Sequence, residues 1–248
     1  MSTFQDHFSD HAASAFARQM ALGDVIGDRS WGLDLQRGTL RFGDDLEYPV
    51  QLLGTHASGP GTWLWVWANA QSNIPEQLTE AALRARQRGE AEQIEAFAAP
   101  SLQLDEALTD HMIAMTCGGL EGGRCYYRAP YDGGALFVLL DGVPPEVQAP
   151  VALSHAPTVL MQVISQFDVD HRRMVTSFLR QQGLEATSTS ATAIRAERAG
   201  EGHLDISFDE LGRISNVKGK LLSQPAAPAI AAAQPEESKA PRWQFWKR

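Results

Sequence analysis

Cysteine is scarce in this 248-residue chain, which has only Cys117 and Cys125. Two thiols are too few for a disulfide framework, and no C-x-x-C motif indicates redox chemistry. The first residues, "MSTFQDHFSDHAASAF", lack the basic and apolar stretches of a signal peptide. The apolar run "APAIAAA" is too short to cross a bilayer. We therefore expect a cytoplasmic protein with reduced thiols.

Basic residues are also in deficit. The chain has 21 Lys and Arg against 30 Asp and Glu, which gives a net charge of −9. Such a surface repels phosphate backbones, so the composition argues against a nucleic-acid partner. Apolar residues make up 44% and charged residues 21%, as in ordinary soluble globular domains.

The familiar catalytic motifs are missing as well. The sequence contains no G-x-S-x-G, H-E-x-x-H, P-loop or G-x-G-x-x-G motif, and the glycine-rich "CGGLEGGRC" is typical of a flexible turn. His7 and His11 share a helix face, but a metal site needs a third ligand, so a solvated face is favoured. His111 is interpreted as a half-buried, satisfied histidine. We predict no catalytic residues, no metal site and no cofactor.

Hydrophobic periodicity predicts an α+β fold, mainly antiparallel sheet built from hairpins with helices packed on it. Helices are expected over residues 3–22, from the cap Asn73 to about 92, over 105–117, and in two segments within 156–182 joined at "DVD", where N-capping by Asp168 or Asp170 is favoured. Hairpins are expected over 31–42, 48–69, 124–141 and 188–208, with "STSATAIRAER" as a single strand and "RISNVKG" as a further one.

Composition divides the chain into three parts. Residues 1–222 form the predicted globular domain, residues 223–240 a Pro/Ala-rich flexible linker, and residues 241–248 an aromatic-basic tip.

The stretch "TWLWVWAN" places Trp63, Trp65 and Trp67 at alternate positions, so a strand would direct all three to one face. Because Leu64 and Val66 make the other face apolar, the strand is expected to be central, with the indoles in the core. The alternative is a ligand pocket walled by the three indoles, with Gln51 or Asn69 as the polar groups. Asn69 also suits a turn.

The predicted tip is unusual for a solvated segment because it is both aromatic and basic. Its candidate docking residues are Trp243, Phe245, Trp246, Arg242, Lys247 and Arg248. Four roles are open: docking into a groove on a partner, folding back on the acidic body, contact with a membrane surface, or no binding role.

The stretch from Leu40 to Gly89, which includes "FGDDLEYPVQLLGTHASGPGTWLWVWAN", resembles the signature "fGd…y…Q.lGT…tWlWaWaN…lp" of an uncharacterised bacterial family of unknown function. The resemblance is looser as far as Gly219. It implies a bacterial, cytoplasmic α+β domain and supplies no catalytic residues.

Two functions are therefore carried forward. The first is a non-enzymatic interaction protein that binds another protein through its aromatic tip. Toxin-neutralising immunity is one version of it, by contextual analogy with domains of this kind. The alternative is a small-molecule-binding domain or enzyme with a tryptophan-lined pocket. The oligomeric state is left open.

Overall fold

The computed structural model describes residues 2–69 and 71–222, and these form seven α-helices and eleven strands. The predicted α+β fold with antiparallel sheets is confirmed. The predicted linker, the tip and its six docking residues lie outside the described residues. The helices are α1 (Phe4–Ile26), α2 (Glu80–Glu92), α3 (Glu95–Ala98), α4 (Asp110–Leu120), α5 (Pro145–Gln148), α6 (Ala156–Gln166) and α7 (His171–Gln181).

The first sheet has seven strands, organised around a long central strand. They are β1 (Trp31–Asp34), β2 (Thr39–Phe42), β3 (Leu46–Ala57), β4 (Thr62–Trp65), β5 (Ser101–Gln103), β6 (Cys125–Tyr131) and β7 (Gly134–Leu140). The first part of β3 pairs with β2, and its remainder pairs with β7 and, at its end, with β4. β1 pairs with β2, β5 with β4 and β6 with β7, all antiparallel.

The second sheet is a four-stranded antiparallel meander of β8 (Glu185–Ser190), β9 (Ala193–Arg198), β10 (Gly202–Phe208) and β11 (Ile214–Leu221). Its alternating apolar residues Ile194, Ala196, Leu204 and Ile206 are buried. The prediction of one strand over "STSATAIRAER" is wrong, because a turn at residues 191–192 divides it into β8 and β9.

Helix α1 connects the two halves of the molecule. Thr3 and Asp6 form a capping box at its start. The helix packs against α4 on one side and α7 on the other, where Arg173 pairs with Asp6 at 2.8 Å and with Asp10 at 2.7 Å. It continues past residue 22 and ends at Gly27, whose φ of 56° suits glycine.

The predicted start of α2 is wrong, and a tertiary contact explains why. Asn73 does not cap the helix, which begins at Glu80 after a short 3₁₀ turn at Glu76–Leu78. The Gln51 side chain from β3 accepts a hydrogen bond from the Ala81 amide and donates one to the Gln77 carbonyl. The helix therefore begins where a distant side chain satisfies its free amide.

The helix predicted to start at Asp105 also begins later. Asp105 instead accepts the amides of Ala107 and Leu108 in a turn. Thr109 caps α4 by accepting the Met112 amide. Asp110 and His111 therefore lie in the first turn of α4. The predicted cap of α7 is confirmed, since Asp170 accepts the Arg173 amide at 2.9 Å.

Candidate functional site

The tryptophan-rich stretch leaves the strand geometry sooner than its alternation predicts. β4 ends at Trp65, and Val66–Ala68 form a 3₁₀ turn. Trp63 and Trp65 have no exposed surface, whereas Trp67 is partly buried under the Arg86 guanidinium, 4.7 Å from its ring centroid. This placement favours the core interpretation for Trp63 and Trp65.

The polar residues predicted beside the indoles have other contacts. Gln51 binds the backbone at the start of α2, and Asn69 ends the 3₁₀ turn, with its amide donating to the Val66 carbonyl. The Trp65 indole donates to the Ala96 carbonyl at 3.2 Å. A ligand-binding role for these five residues stays a prediction.

The paired histidines of α1 separate into different environments. His7 lies 2.7 Å from Glu92 of α2. His11 packs against α4 so closely that a Cβ on Gly119 would overlap its ring, and burial lowers the His11 pKa to about 4. Among residues 2–69 and 71–222, no group of three His, Cys, Asp or Glu side chains is placed to hold a metal ion.

The two cysteines are unbridged and buried. Burial raises the pKa of both thiols, that of Cys125 to about 12, so neither is a reactive thiolate at neutral pH.

A cluster of polar side chains forms where the first turn of α4 meets the first sheet. Nδ1 of His56 on β3 lies 2.7 Å from Oδ2 of Asp110, although the two groups are not aligned for a hydrogen bond. The other carboxylate oxygen, Oδ1, accepts the His111 amide at 2.8 Å. Asp110 is buried, and its negative charge is favourable in the first turn of a helix.

The second contact of the cluster joins His111 to Tyr126 on β6. Nδ1 of His111 lies 2.7 Å from the Tyr126 hydroxyl. The Tyr126 backbone is held by Gln19 of α1, whose side chain donates to the Tyr126 carbonyl and accepts its amide, each at 2.9 Å. The tyrosine is thus fixed from α1 through its backbone and from α4 through its hydroxyl.

Electrostatics keep this pair uncharged. Burial lowers the His111 pKa to about 4, partly opposed by the negative charge of Asp110, while the Arg128 charge lowers it further. Burial also raises the Tyr126 pKa well above its usual value. At neutral pH a neutral imidazole therefore faces a protonated phenol, and a phenol that donates to Nδ1 leaves the imidazole proton on Nε2.

Strand β4, which contains Trp63 and Trp65, packs beside this cluster. Trp63 lies opposite His56 across β3 and β4. The Phe137 ring is 5.3 Å from Trp63, 5.7 Å from His111 and 6.0 Å from Tyr126, measured between centroids. The buried indole thus contributes to the site through Phe137, as packing beneath it.

A cavity of about 230 Å³ opens beside the His111–Tyr126 pair, between the C-terminal end of α1 and strand β6. Its walls combine apolar side chains with a few polar ones. The lining residues are Gln19, Leu22, Gly23, Ile26, Gly27, Asp28, His111, Tyr126, Tyr127, Arg128 and Pro130. We call this space the α1–β6 cavity.

Wider grooves elsewhere in the described chain are more open. One of about 480 Å³ lies between α2 and α4, but its rim charges are paired, Arg84 with Glu121 at 2.5 Å and Arg88 with Glu92 at 2.8 Å. The α1–β6 cavity is more enclosed and contains the buried neutral pair.

Sequence reasoning did not identify this site. The bond from His111 to Tyr126 is consistent with its interpretation as a satisfied histidine, and no pattern in the sequence points to His56, Tyr126 or Arg128. Apart from the neighbours Asp110 and His111, and Tyr126 and Arg128 two positions apart on β6, these residues are separated by 15 to 72 positions, so no local motif marks them. The polar pair "DH" directly after a Thr cap is the one local signal that points to the start of α4.

Together these features define an α+β protein of antiparallel sheets with a small, largely apolar cavity that has a few polar groups in its wall. The chain belongs to a family of unknown function, DUF6882, which matches residues 5–143, more than half of its length. This confirms the expected membership of an uncharacterised family. The matched part runs from α1 to just beyond β7 and contains the whole cluster. No curated protein and no solved structure matches the chain.

No helix in the described ranges is long and apolar enough to cross a membrane.

Proposed function

We propose that this chain is a small-ligand-binding protein and that the α1–β6 cavity is its binding site. The observation that carries the proposal is the His111–Tyr126 pair, two uncharged polar groups in the wall of a largely apolar cavity. Small-molecule sites combine these features: an apolar concavity and a few well-placed polar groups that orient the ligand.

The surroundings of the pair favour binding because they fix it in advance. Gln19 anchors the Tyr126 backbone, and Phe137 packs against both rings. A site whose side chains are already ordered loses little conformational entropy when a ligand enters. The cavity also lies wholly within residues 5–143, the part that defines the family.

A thermal-shift screen tests this function, with fragments of neutral, acidic and basic character. A ligand that binds only the folded protein raises its stability by RT ln(1 + [L]/Kd), about 2.7 kcal/mol at a hundredfold excess over Kd. We expect dose-dependent stabilisation of the wild type that is lost or weakened in Tyr126→Phe and retained in Tyr131→Phe. Tyr131 is the matched control, because it lies on the same strand, is 50% exposed and does not line the cavity.

Two results would count against a ligand site in this cavity. One is a screen in which no fragment stabilises the wild type. The other is a set of fragments that stabilise Tyr126→Phe and the wild type equally.

A protein partner is our second proposal, and it is supported by sequence. The C-terminal tip combines aromatic and basic residues, a composition suited to docking in a groove on another protein. The aromatic residues are Trp243, Phe245 and Trp246, and the basic ones are Arg242, Lys247 and Arg248. Toxin neutralisation in a bacterial cytoplasm is the specific version we propose. A pull-down that compares the full chain with one lacking residues 242–248 tests it, and retention of every partner by the shortened chain would contradict it.

A further inference from the structure

We propose that the C-terminal tip, residues 241–248, docks into a groove on its own chain between α1, α5 and α6. We call this space the α1–α5–α6 groove. The inference goes beyond the two functions proposed above. Ligand binding in the α1–β6 cavity does not depend on it, and a protein partner that takes the tip would first have to release the tip from this groove.

The groove has the size and the apolar surface that aromatic side chains need. Its volume is about 400 Å³, within the roughly 300–1,000 Å³ of ligand pockets. Met20 and Ala21 of α1 form one wall, and Val147 of α5 and Val159 of α6 contribute to the other. A methionine side chain adapts its shape and makes favourable contacts with aromatic rings. A tryptophan or phenylalanine side chain can therefore bury apolar surface here.

The charges of the groove attract a basic segment. Asp24 and Glu146 line it, both are exposed, and neither has an ion-pair partner among residues 2–69 and 71–222. Arg18 is the one arginine or lysine among the described residues of the lining. Its guanidinium packs against Gly123, which does not line the groove. Two unpaired carboxylates at the rim are therefore left to bind basic side chains.

The tip has the complementary composition. Its eight residues include three aromatic and three basic ones and no acidic one. Residues 223–248 contribute +2 to the net charge of −9, so residues 1–222 carry −11. Opposite charges attract the tip to the body of the protein, and the rim carboxylates give that attraction a defined place.

Strand β11 leaves the body close to this groove. The amide of Leu222, directly after the strand, donates to the Glu201 carbonyl at 2.9 Å. The Glu201 carboxylate accepts the amide of Leu153 at 2.6 Å, and the preceding residue, Ala152, lines the groove. Residues 223–242 precede the first tryptophan of the tip, and a coil of that length spans roughly 25 Å. The tip is therefore tethered within reach of the groove.

Tethering makes a weak contact sufficient. A short flexible linker gives an effective concentration in the millimolar range, so a contact with a dissociation constant of about 0.1 mM would be formed about 90% of the time. The aromatic side chains need to supply only a modest affinity for the tip to dock in the same chain.

Other grooves of the described chain suit the tip less well. The groove between α2 and α4 has paired rim charges, and the one beside α7 is lined by Arg172, Arg173 and Arg180, which repel a basic segment. The groove at the second sheet is lined mainly by glycine and charged residues. The α1–β6 cavity is smaller and has the Arg128 cation in its wall. The α1–α5–α6 groove combines apolar walls with unpaired carboxylates.

Paramagnetic NMR on the full-length chain tests the docking. A nitroxide label on Gln244→Cys lies within the tip, and the two native thiols are buried and do not compete for it. We expect the label to broaden the methyl signal of Met20, which lines the groove, several-fold more than that of Met161. Met161 is the matched control, because it is 49% exposed on α6 and does not line the groove, so random encounters would broaden it more than Met20.

Charge reversal at the rim tests the electrostatic part of the contact. The double variant Asp24→Lys and Glu146→Lys should lower the ratio of docked to free tip about tenfold, since two attractive contacts become repulsive. The double variant Asp44→Lys and Glu106→Lys is the control. It makes the same change in net charge at two exposed carboxylates outside the groove and should change the ratio little.

Three results would overturn the docking. One is broadening of Met20 no greater than that of Met161, as for a tip that contacts only a partner or a membrane. Another is broadening that disappears when the labelled chain is diluted into an excess of unlabelled chain, as for exchange between two copies. The third is a ratio of docked to free tip that the rim reversal and the control reversal lower equally.

The comparison of Met20 with Met161 in the otherwise unchanged chain decides the docking even if the rim variant does not fold. The pull-down with the shortened chain decides the partner proposal separately, so either proposal can fail without the other.

Discussion

Tyr126 is the residue on which the site depends most. Its backbone carbonyl accepts a hydrogen bond from the Gln19 side chain, and its backbone amide donates one to the same side chain. Its hydroxyl is hydrogen-bonded to His111, and its ring packs against Phe137. Each contact comes from a different element, so the side chain has no freedom to turn away from the cavity. The neutral pair is therefore a fixed feature of the folded chain.

Removing the Tyr126 hydroxyl should destabilise the protein. Tyr126→Phe leaves Nδ1 of His111 without its partner at 2.7 Å in a buried site, and an unsatisfied buried polar group costs about 1–3 kcal/mol. Urea denaturation measures the difference. Tyr131→Phe, on the same strand, should change the free energy of unfolding by less than about 0.5 kcal/mol. Equal effects of the two substitutions would contradict this account of the pair.

Two half-buried histidines should make stability depend on pH. Burial lowers the pKa of His11 and of His111 from 6.5 to about 4, so between these values the unfolded chain binds protons that the folded chain does not. Stability is therefore full above pH 6.5 and falls as the pH drops toward 4. Urea midpoints between pH 7 and pH 5 should fall less steeply in His11→Gln and in His111→Gln than in the wild type. An unchanged slope in both variants would refute this assignment.

The roles of individual residues were harder to predict than the fold. The amino-acid types were visible in the sequence, but the cluster forms only when α4 places Asp110 against His56 and His111 against Tyr126. Neither contact follows a periodicity, because each joins different elements. A cap at Asp168 or Asp170 could be predicted, since capping depends on a partner three residues away, and Asp170 is the residue that fills it.

At the scale of elements, the spacing of apolar residues and the turn residues were sufficient to predict most of the hairpins and helices. One error occurred where a distant side chain sets a boundary, because Gln51 of β3 sets the start of α2 and the local Asn73 and Pro75 do not. Two others have local causes: Asp105 forms a turn before Thr109 caps α4, and a turn at residues 191–192 separates β8 from β9. The tryptophan-rich stretch is a further case, because its alternating pattern predicts a strand but continues into residues that form a 3₁₀ turn.

Gly54 tests the packing of this strand. A Cβ there would lie 2.5 Å from the Leu64 carbonyl oxygen and 2.7 Å from two Trp63 ring atoms. Gly54→Ala must therefore displace β4 or the indole beneath the site, and we expect a loss of about 3 kcal/mol, the upper end for overpacked cores. Gly59→Ala is the control, because no atom beyond its own residue and its two chain neighbours lies within 4 Å of its Cβ position. Equal free energies of unfolding for the two variants, measured by chemical denaturation, would contradict this description of the packing.

At the scale of the whole molecule, α1 packs both against elements of the family-matched part and against α7, which follows it in the chain. Its contacts with α4 and β6 form the cavity within the family-matched part, while Arg173 of α7 binds Asp6 and Asp10 on another part of the same helix. The second sheet and α5–α7 lie outside the matched residues. The site therefore lies within the part of the chain that the family model matches.

The central claim is that a ligand enters the α1–β6 cavity, and histidine side-chain NMR tests it most directly. Three of the seven histidines line different cavities or grooves: His111 lines the α1–β6 cavity, His155 the α1–α5–α6 groove, and His203 a groove at the second sheet. During titration with a fragment that stabilises the wild type, the His111 ring signals should shift and saturate over the same concentration range as the thermal stabilisation, while those of His155 and His203 stay fixed. Saturable shifts at His155 or His203 with His111 unmoved would contradict the claim.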